Sequence, residues 1–316
     1  MNQSIWVLGE ALMDCVAQPD GSLKPFMGGS PFNLARAAAL RGADVSFVNP
    51  LSTDNFGDQM RAQLAADGVK PLLPATRLPT SLAVVQIKDG QPSYGFYREG
   101  IADRDYTIDQ ILTVLESATS DMKPGVLHTG SLLLVPPEHE KVIAVLKGAK
   151  KMGWTISIDV NLRPKLAANL AQYVAAVQAV VPLADWLKAS DEDLMLLGFA
   201  AQSNAQGNTL PQRSQGAEIA KHFTGLGISR VALTFGGDGA WLQVDGKSAE
   251  QAVPTVTVVD TVGAGDTFWG NCLGDWVLQP GNAADRVATT LSQAIKAAAI
   301  NCARAGCQPP NYLELT

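Results

Sequence analysis

Residues 258–268 read VVDTVGAGDTF, a β-branched run followed by small residues and then by an apolar stretch. Gly263, Ala264 and Gly265 allow the backbone to turn sharply and to expose its N–H groups. Such a turn at the start of a helix predicts an anion site, because the first helical N–H groups lack acceptors and the helix dipole favours phosphate. Asp266 would repel that phosphate. We therefore interpret it either as a helix N-cap or as a base that takes a proton from an attacking hydroxyl.

Composition limits the kinds of protein that this chain can be. It has 316 residues, of which 47% are hydrophobic and 17% charged, and its net charge is −6. These values are typical of a globular protein with one large domain, or one domain and a small appendage. The acidic balance argues against nucleic acid or an anionic membrane as a partner, so any phosphate site must be local. We find neither a signal-like segment nor an apolar stretch long enough to span a membrane.

The cysteines do not form a metal-binding pattern. Cys15, Cys272, Cys302 and Cys307 lack the paired spacing of a zinc site. Reduced thiols are the expectation, and with them a cytoplasmic location.

Strand-like and helix-like segments alternate along most of the chain. Strands are predicted near residues 5–8, 46–48, 126–128, 155–158, 186–187 and 230–233, and helices near 31–41, 56–66, 138–151, 167–181, 190–196, 215–224 and 287–302. This order predicts an α/β fold with a mostly parallel, doubly wound sheet flanked by helices.

Two turn-rich regions interrupt this alternation. Residues 12–27 contain the turn signal Pro19-Asp20-Gly21, and residues 80–100 contain a second one over 88–92. They are too short to be domains, so we expect them to pair into a small β-sheet that acts as a lid at the mouth of the large sheet. The alternative is a pair of surface hairpins. Residues 204–214 are predicted to form a polar surface loop.

Residues near the N-terminus suit a neutral, hydroxyl-rich ligand. Gly28 and Gly29 let the backbone approach a ligand closely, and Asn33 offers both a donor and an acceptor from the first turns of a helix. Asp14 follows the first strand, where a carboxylate can accept hydrogen bonds from sugar hydroxyls. The alternatives are a capping role for Asn33 and a solvated position for Asp14. Neither a G-x-G-x-x-G turn after the first strand nor a Walker A sequence is present, which disfavours a Rossmann dehydrogenase and a P-loop kinase.

Two motifs carry a resemblance to a known family. Residues 260–266 resemble the C-terminal signature of the ribokinase-like (PfkB) carbohydrate kinases, and residues 28–33 resemble their N-terminal signature. The resemblance covers almost the whole chain. It implies a ribokinase-like fold, with residues 1–316 as a single kinase domain and with 12–27 and 80–100 as the lid. It also implies that ATP, with Mg²⁺, phosphorylates a sugar hydroxyl.

The resemblance also implies roles for individual residues. Asp266 would be the catalytic base, and Gly263, Ala264 and Gly265 would form the anion hole beside it. The sugar hydroxyls would contact Asp14, Gly28, Gly29 and Asn33. The nucleotide would bind near Thr234, Gly236, Gly237, Gly239, Lys188 and Asn301. A monovalent cation such as K⁺ would bind near Asp260, Val262, Asn301, Arg304 and Gly306.

One motif departs from the family pattern. Relatives often carry Asn-x-x-Glu, a motif tied to magnesium and phosphate, where this chain has Ser190 and Asp193. Either Glu192 or Asp193 is then the acid that orders the water shell of Mg²⁺.

Three further strings resemble the fructokinase-like branch and the 2-keto-3-deoxygluconate kinases, namely residues 30–33, 96–103 and 159–164. Phe96 would give the sugar an apolar wall, and Arg98 would donate hydrogen bonds into the pocket from the lid. Arg163 would reach the transferred phosphate or a substrate oxygen, or else cap the next helix. An acid sugar needs a bidentate arginine and a further polar partner, so Phe96 favours fructose, phosphorylated to fructose 6-phosphate.

Three alternatives remain open from the sequence. The acceptor is fructose or 2-keto-3-deoxygluconate, or the chain is a catalytically silent sugar- or nucleotide-binding protein of the same fold. A homodimer through the lid is a further expectation, because lid sheets of this family often pair between subunits.

Overall fold

Strands and helices alternate along most of the chain in the computed structural model, which describes residues 3–18, 20–88, 91–121, 123–200, 202–203 and 209–315. The strands are β1 (Ile5–Val7), β2 (Leu12–Ala17), β3 (Leu23–Gly28), β4 (Val45–Phe47), β5 (Val69–Pro71), β6 (Ser81–Lys88), β7 (Gln91–Tyr97), β8 (Val126–Gly130), β9 (Thr155–Asp159), β10 (Trp186–Ser190), β11 (Gln202–Ser203), β12 (Thr209–Leu210), β13 (Arg230–Thr234), β14 (Ala240–Val244) and β15 (Lys247–Gln251). The helices are α1 (Ser30–Leu40), α2 (Asn55–Ala66), α3 (Ile108–Asp121), α4 (His139–Lys151), α5 (Leu170–Val180), α6 (Asp191–Leu196), α7 (Gly216–Gly225), α8 (Ala264–Leu278) and α9 (Val287–Cys302).

The large sheet has the strand order β15-β14-β13-β10-β9-β8-β1-β4-β5. Its strands run parallel from β5 through β13, and only β14 and β15 are antiparallel to their neighbours. The predicted α/β class and mostly parallel sheet are confirmed. The β14–β15 hairpin was not predicted, although its turn residues Asp245 (φ 48°) and Gly246 (φ 88°) are a strong hairpin signal.

Apolar side chains cover both faces of this sheet. Along β1, Ile5 and Val7 pack into a cluster with α1, α2, α8 and α9, whereas Trp6 packs with α3, α4, α5 and α7 on the other face. A strand buried on both faces reads as a continuous apolar run, which is why the sequence predicts β1 clearly. Helices on both faces make the sheet doubly wound.

The two turn-rich regions pair into one small sheet with the order β3-β2-β6-β7. Strand β2 is antiparallel to β3 and parallel to β6, and β6 is antiparallel to β7. Along β2, Asp14 faces a large cavity whereas Met13 and Cys15 are buried in the core. The predicted turn residues Pro19, Asp89 and Gly90 lie outside the described residues.

Helices α1 and α8 pack with almost no side chain between their backbones. A Cβ atom added to Gly270 of α8 would lie 2.8 Å from the carbonyl oxygen of Leu34 in α1. The pair is also tied by a buried ion pair, with 2.9 Å from Arg41 Nη2 to Asp275 Oδ1. The close contact fixes the position of α8 relative to α1.

Several boundaries differ from the predictions for local reasons. Helix α5 begins at Leu170 because the Asn169 side chain accepts a hydrogen bond from the N–H of Gln172 and caps it. Helix α3 was not predicted. The predicted polar loop at 204–214 follows β11 and contains β12, and residues 204–208 of it lie outside the described residues. None of the helices in the described ranges combines the length and apolar character needed to cross a membrane.

Candidate active site

A cavity of about 980 Å³ lies between the small sheet and the carboxyl ends of the parallel strands. At one end, called the small-sheet end, it is lined by Leu12, Asp14, Phe26 and Phe96. At the other, called the β13 end, it is lined by residues that follow β13 and by one side of α9. The first turn of α8 lines the cavity as well. Ligands of open α/β sheets bind at this edge, so the cavity is the candidate site.

The first turn of α8 is shaped by Gly263. This residue has a left-handed backbone (φ 74°), and a Cβ atom on it would lie 2.2 Å from Sγ of Cys307. The N–H of Ala264 donates to the carbonyl of Thr261 at 3.2 Å. Gly265 and Asp266 lie in the first turn, where an α-helix offers no carbonyl to their N–H groups. These donors and the helix dipole favour an anion here.

Asp266 is buried at this helix end and is held by α1. Its Oδ1 accepts a hydrogen bond of 2.7 Å from the hydroxyl of Ser30, and its Oδ2 accepts one of 2.9 Å from Nδ2 of Asn33. Burial raises the pKa of Asp266 above its ordinary value, while these two hydrogen bonds and the charges of Lys188 and Arg163 limit the rise. A carboxylate that is buried, oriented and made more basic can act as a general base.

Lys188 places a positive charge next to the anion-binding turn. Its Nζ lies 2.9 and 2.8 Å from the two carboxylate oxygens of Asp159, and both side chains are buried. Burial would lower the pKa of Lys188, but the carboxylates of Asp159 and Asp193 raise it above the ordinary value. Nζ would be 3.2 Å from a Cβ atom added to Gly265, so the ammonium group borders the same turn.

The small-sheet end carries the residues predicted to contact a sugar. Asp14 lines the cavity, and a Cβ atom on Gly28 would lie 2.2 Å from its Oδ2, so glycine leaves room for the carboxylate. Burial raises the pKa of Asp14 to about 6, and Arg163 opposes the rise. Gly29, Asn33 and Phe96 line the same end.

The two predicted arginines occupy different positions. Arg98 is buried and is not among the residues that line the cavity, and the carboxylates that act on its guanidinium include Asp103 and Glu10. Arg163 lines the cavity, and its Nη1 donates to the side chain of Asn161 and, at 3.2 Å, to the carbonyl of Leu162. The sequence predicted that Arg98 donates hydrogen bonds to a ligand, but the structure does not place Arg98 at the surface of the cavity. Arg163 does line the cavity.

The β13 end is wide and largely apolar. Thr234, Gly236, Gly237 and Gly239 line it, and the nucleotide pocket predicted at these residues stays a prediction. Its apolar walls consist of Val253, Val256 and Val258 on one side and Ile295, Ala298 and Ala299 on the other. A flat apolar ring system fits between such walls.

The comparison with known proteins decides the family. The family model described as "pfkB family carbohydrate kinase" matches residues 2–313.

This chain belongs to the PfkB family of carbohydrate kinases.

Individual relatives agree with this. The chain is 30% identical over 291 residues to a fructokinase of Vibrio alginolyticus, covering 89% of this chain and 88% of that one. It is 29% identical over 266 residues to a fructokinase of Rhizobium leguminosarum bv. trifolii, covering 82% and 76%. Among solved structures, the fructokinase of Xylella fastidiosa with bound ATP has a TM-score of 0.83 and 25% identity, covering 100% of this chain and 97% of that one.

The altered Ser190-to-Asp193 motif of this PfkB kinase forms a helix cap. Oδ2 of Asp193 accepts from both the N–H and the hydroxyl of Ser190 at 2.8 Å, and Oδ1 accepts from the N–H of Leu162 at 2.7 Å. The buried Asp193 carboxylate is therefore occupied with protein donors. Glu192, in contrast, is exposed and lines the cavity.

The predicted cation segment lies beside the β13 end and is closed by hydrogen bonds. Oδ1 and Oδ2 of Asp260 accept from the N–H groups of Val262 (3.0 Å) and Gly306 (2.9 Å). Nδ2 of Asn301 donates to the carbonyl of Val262 at 2.8 Å, and Asn301 does not line the cavity. The side chain of Arg304 is engaged by the carbonyl of Gln308 (3.1 Å) and by Glu314, so only its backbone could face a cation.

Sequence reasoning missed three residues of this site. Ser30 and Asp159 lie within strings that were quoted for their resemblance, but neither was assigned a role. Glu10 lines the cavity although it is buried. Glu10 follows the first strand by three residues and contacts Gly29, which is far from it in sequence, so no local pattern indicates this contact. Glu10 and Ser30 each stand next to a glycine, which is the hint that the sequence offers for these two.

Proposed function

We propose that this PfkB kinase is an ATP-dependent fructokinase that transfers the γ-phosphate of ATP to the primary hydroxyl at C6 of fructose. The observation that carries the proposal is the buried Asp266 carboxylate, held by Ser30 and Asn33 at the open end of α8. The curated relatives that are 29–30% identical are fructokinases, which supports fructose as the acceptor.

The reaction follows from the positions of these groups. The sugar lies at the small-sheet end, where Asp14 and Asn33 accept and donate hydrogen bonds to its hydroxyls. Asp266 takes the proton of the attacking hydroxyl as the new oxygen–phosphorus bond forms. The N–H groups of the α8 turn and the ammonium group of Lys188 stabilise the negative charge of the transferred group. ADP leaves from the β13 end, where its base lies between the apolar walls.

We assign two metal ions, Mg²⁺ and K⁺, to oxygen donors that the chain offers. No cluster of three or more His, Cys, Asp or Glu side chains that could hold a metal occurs in the described ranges. Magnesium suits this, because Mg²⁺ at phosphates keeps several waters and needs only one or two carboxylates. We assign Glu192 to that water shell, where the ion would neutralise phosphate charge. K⁺ would be held by the carboxylate of Asp260 and by backbone carbonyls of the segments around Val262 and Gly306.

Charge distribution favours a neutral acceptor over an acid sugar. Glu10, Asp14 and Asp266 put three carboxyl groups at or near the small-sheet end of the cavity. Lys188 is already paired with Asp159, and Arg98 does not line the cavity. Arg163 and Lys165 also line the cavity, and Arg163 is the feature that favours the second candidate, a 2-keto-3-deoxygluconate kinase.

A coupled assay of ADP release tests the proposal. Fructose, 2-keto-3-deoxygluconate, ribose and an aminoimidazole riboside are each supplied with ATP and Mg²⁺. We expect fructose to give the highest kcat/KM. A higher value with the acid sugar would select the second candidate. Measurable sugar binding without ADP release from any acceptor would select a silent binding protein.

The small sheet is proposed as a lid that closes over the sugar and, between two copies of the chain, as a dimer interface. Two large side chains of this sheet, Leu23 and Tyr97, are 48% and 64% exposed. Such side chains are suited to a protein contact. Sedimentation of the purified protein decides the dimer, since a monomer mass at high concentration would reject it. A cytoplasmic location, where ATP is available, stays a prediction supported by the four free cysteines.

A further inference from the structure

Glu10 lies against the first residue of α1. Its side chain is 1% exposed, and its Oε1 accepts a hydrogen bond of 3.3 Å from the N–H of Ser30. A Cβ atom on the neighbouring Gly29 would be 2.6 Å from the carbonyl oxygen of Glu10, so the two chain segments are in direct backbone contact. The backbone of Ser30 is therefore fixed by Glu10.

The hydroxyl of Ser30 points away from this contact and toward α8. It makes no capping bond in α1, whose N-cap residue is Gly29. Instead it donates to Oδ1 of Asp266 at 2.7 Å across 236 positions of sequence. Three side chains in series thus connect the end of β1 with the carboxylate at the start of α8.

We propose that Glu10 and Ser30 are positioning residues for the catalytic base: Glu10 fixes the backbone of Ser30, and the Ser30 hydroxyl fixes the carboxylate of Asp266. The inference rests on the proposed function, because Asp266 is a base only if the chain transfers phosphate. It assigns Ser30 and Glu10 a role in kcat and not in substrate binding.

Arg98 completes this arrangement from the end of the small sheet. Burial raises the pKa of Glu10, and among its charged neighbours the guanidinium of Arg98 opposes that rise most strongly. Arg98 follows β7 directly in the chain and is itself buried. Arg98 therefore adds a positive charge that acts on Glu10, and it does so without lining the cavity.

Replacement of Ser30 is the first test. S30A removes only the hydroxyl, so the base loses one of its two hydrogen bonds and its orientation. We expect kcat for fructose to fall roughly tenfold, since small misplacements of a catalytic group cost one or two orders of magnitude. Calorimetric affinities for fructose and for a non-hydrolysable ATP analogue should stay within about threefold, because neither ligand loses a partner. S30T, which keeps a hydroxyl, should recover most of kcat. S46A is the matched control, since Ser46 is buried in β4 and does not line the cavity.

The pH dependence of kcat gives a second readout. The Ser30 hydrogen bond lowers the pKa of Asp266, so its loss should move the acid limb of the S30A profile to higher pH. The other charged or titratable groups that act on or are affected by Asp266 are Lys188, Arg163, Asp14, Asp159 and Cys307. All of them are the same in both proteins, so the difference reports the hydroxyl alone.

A double-mutant cycle tests the contribution of Glu10. If Glu10 acts only through Ser30, E10A, which removes the acceptor of the Ser30 N–H, should lower kcat in the natural background and have less than about a twofold effect in the S30A background. Equal effects in both backgrounds would overturn the coupling. If E10A does not fold, the comparison of S30A with S30T decides, and equal kcat in S30A and the natural protein would overturn the proposal. A natural protein that releases no ADP with any sugar would instead reject the proposed function.

Discussion

Nδ2 of Asn33 donates to Oδ2 of Asp266 at 2.9 Å, which joins a residue of α1 to one of α8. Asn33 is 3% exposed and lines the cavity, so the residue that steadies the base also borders the place where the sugar lies. If Asn33 also binds the acceptor as proposed, this one side chain would help to set the distance between the base and the attacking hydroxyl.

Removal of the base should abolish most of the turnover. General bases contribute about 10²- to 10⁴-fold, so D266N should reduce kcat by at least that order. Fructose binding should survive, because Asp14, Gly29 and Asn33 remain. ADP release and calorimetry measure the two quantities, with D58N on the exposed face of α2 as the control. A D266N protein with nearly natural kcat would contradict the assignment.

We expect the ionised carboxylate of Asp14 to lower the stability of the fold and to strengthen fructose binding, so both quantities should depend on pH. Its pKa is raised from 3.8 to about 6 in the folded protein, so the fold favours the protonated form. The stability that comes with protonation is fully present below pH 3.8 and is lost as the pH rises through about 6. D14N should therefore be more stable than the natural protein at neutral pH, by up to about 3 kcal/mol, and equal to it in acid.

Denaturant unfolding of D14N and the natural protein at several pH values checks this prediction. The same variant should bind fructose more weakly at neutral pH, because an amide cannot accept two hydroxyl hydrogens as a carboxylate does. A stability difference that does not change with pH would show that the Asp14 carboxyl group is not the cause.

Variants of the buried pair of Lys188 and Asp159 should have different effects on the stability of the fold and on kcat. K188M leaves the Asp159 carboxylate buried without its partner, which costs about 3–5 kcal/mol in the free energy of unfolding. The double variant K188M/D159N removes the charge and should regain most of that loss. Neither variant should regain kcat, because the ammonium group beside Gly265 is missing in both. Recovery of kcat together with stability would mean that Lys188 only supports the fold.

Gly263 should tolerate no side chain. G263A adds a Cβ atom 2.2 Å from Sγ of Cys307 and keeps a left-handed backbone. The left-handed backbone alone should cost an alanine about 1–2 kcal/mol in the free energy of unfolding. G246A is the matched control, because Gly246 also has a positive φ (88°) but no atom within 4 Å of the added Cβ. We expect G263A to lose more stability than G246A and to lose activity as well. The double variant G263A/C307A should recover part of both, and equal losses for the two single variants would contradict the steric argument.

The sequence predicts those parts of the fold whose signal is local. Strand β1 is apolar throughout because both of its faces are buried, and α1 is marked by Pro31 at its start and Gly42 after its end. The antiparallel hairpin of β14 and β15 carried an equally local signal at Asp245-Gly246 that the alternation of strands and helices outweighed. Long-range contacts gave no such signal. The bond from Ser30 to Asp266 spans 236 positions, and nothing in the spacing of either motif indicates it.

The site, like the fold, could be predicted where the signal is local and could not be predicted where contacts are long-range. The glycines at 263 and 265 and the acid at 266 predict an anion site from chemistry that lies within one turn. The burial of Arg98 could not be predicted, because the carboxylates that act on it, Asp103 and Glu10, belong to other segments of the chain. Lys188 and Asp159 lie in two strands that are separate in sequence, so no local pattern indicates that they form an ion pair. The pairing of β9 with β10 brings their charges together.

The close packing of α8 against α1 affects which substitutions can change the sugar that the kinase accepts. Because Gly270 brings the α8 backbone into contact with α1, the packing of the two helices fixes Asp266 on one relative to Asn33 on the other. The small sheet contributes Asp14 and Phe96 from strands that do not belong to this two-helix unit. Substitutions in those strands can reshape the space offered to a sugar without disturbing the proton-accepting centre. A new acceptor is therefore reached more easily by altering the strands than by altering the helices.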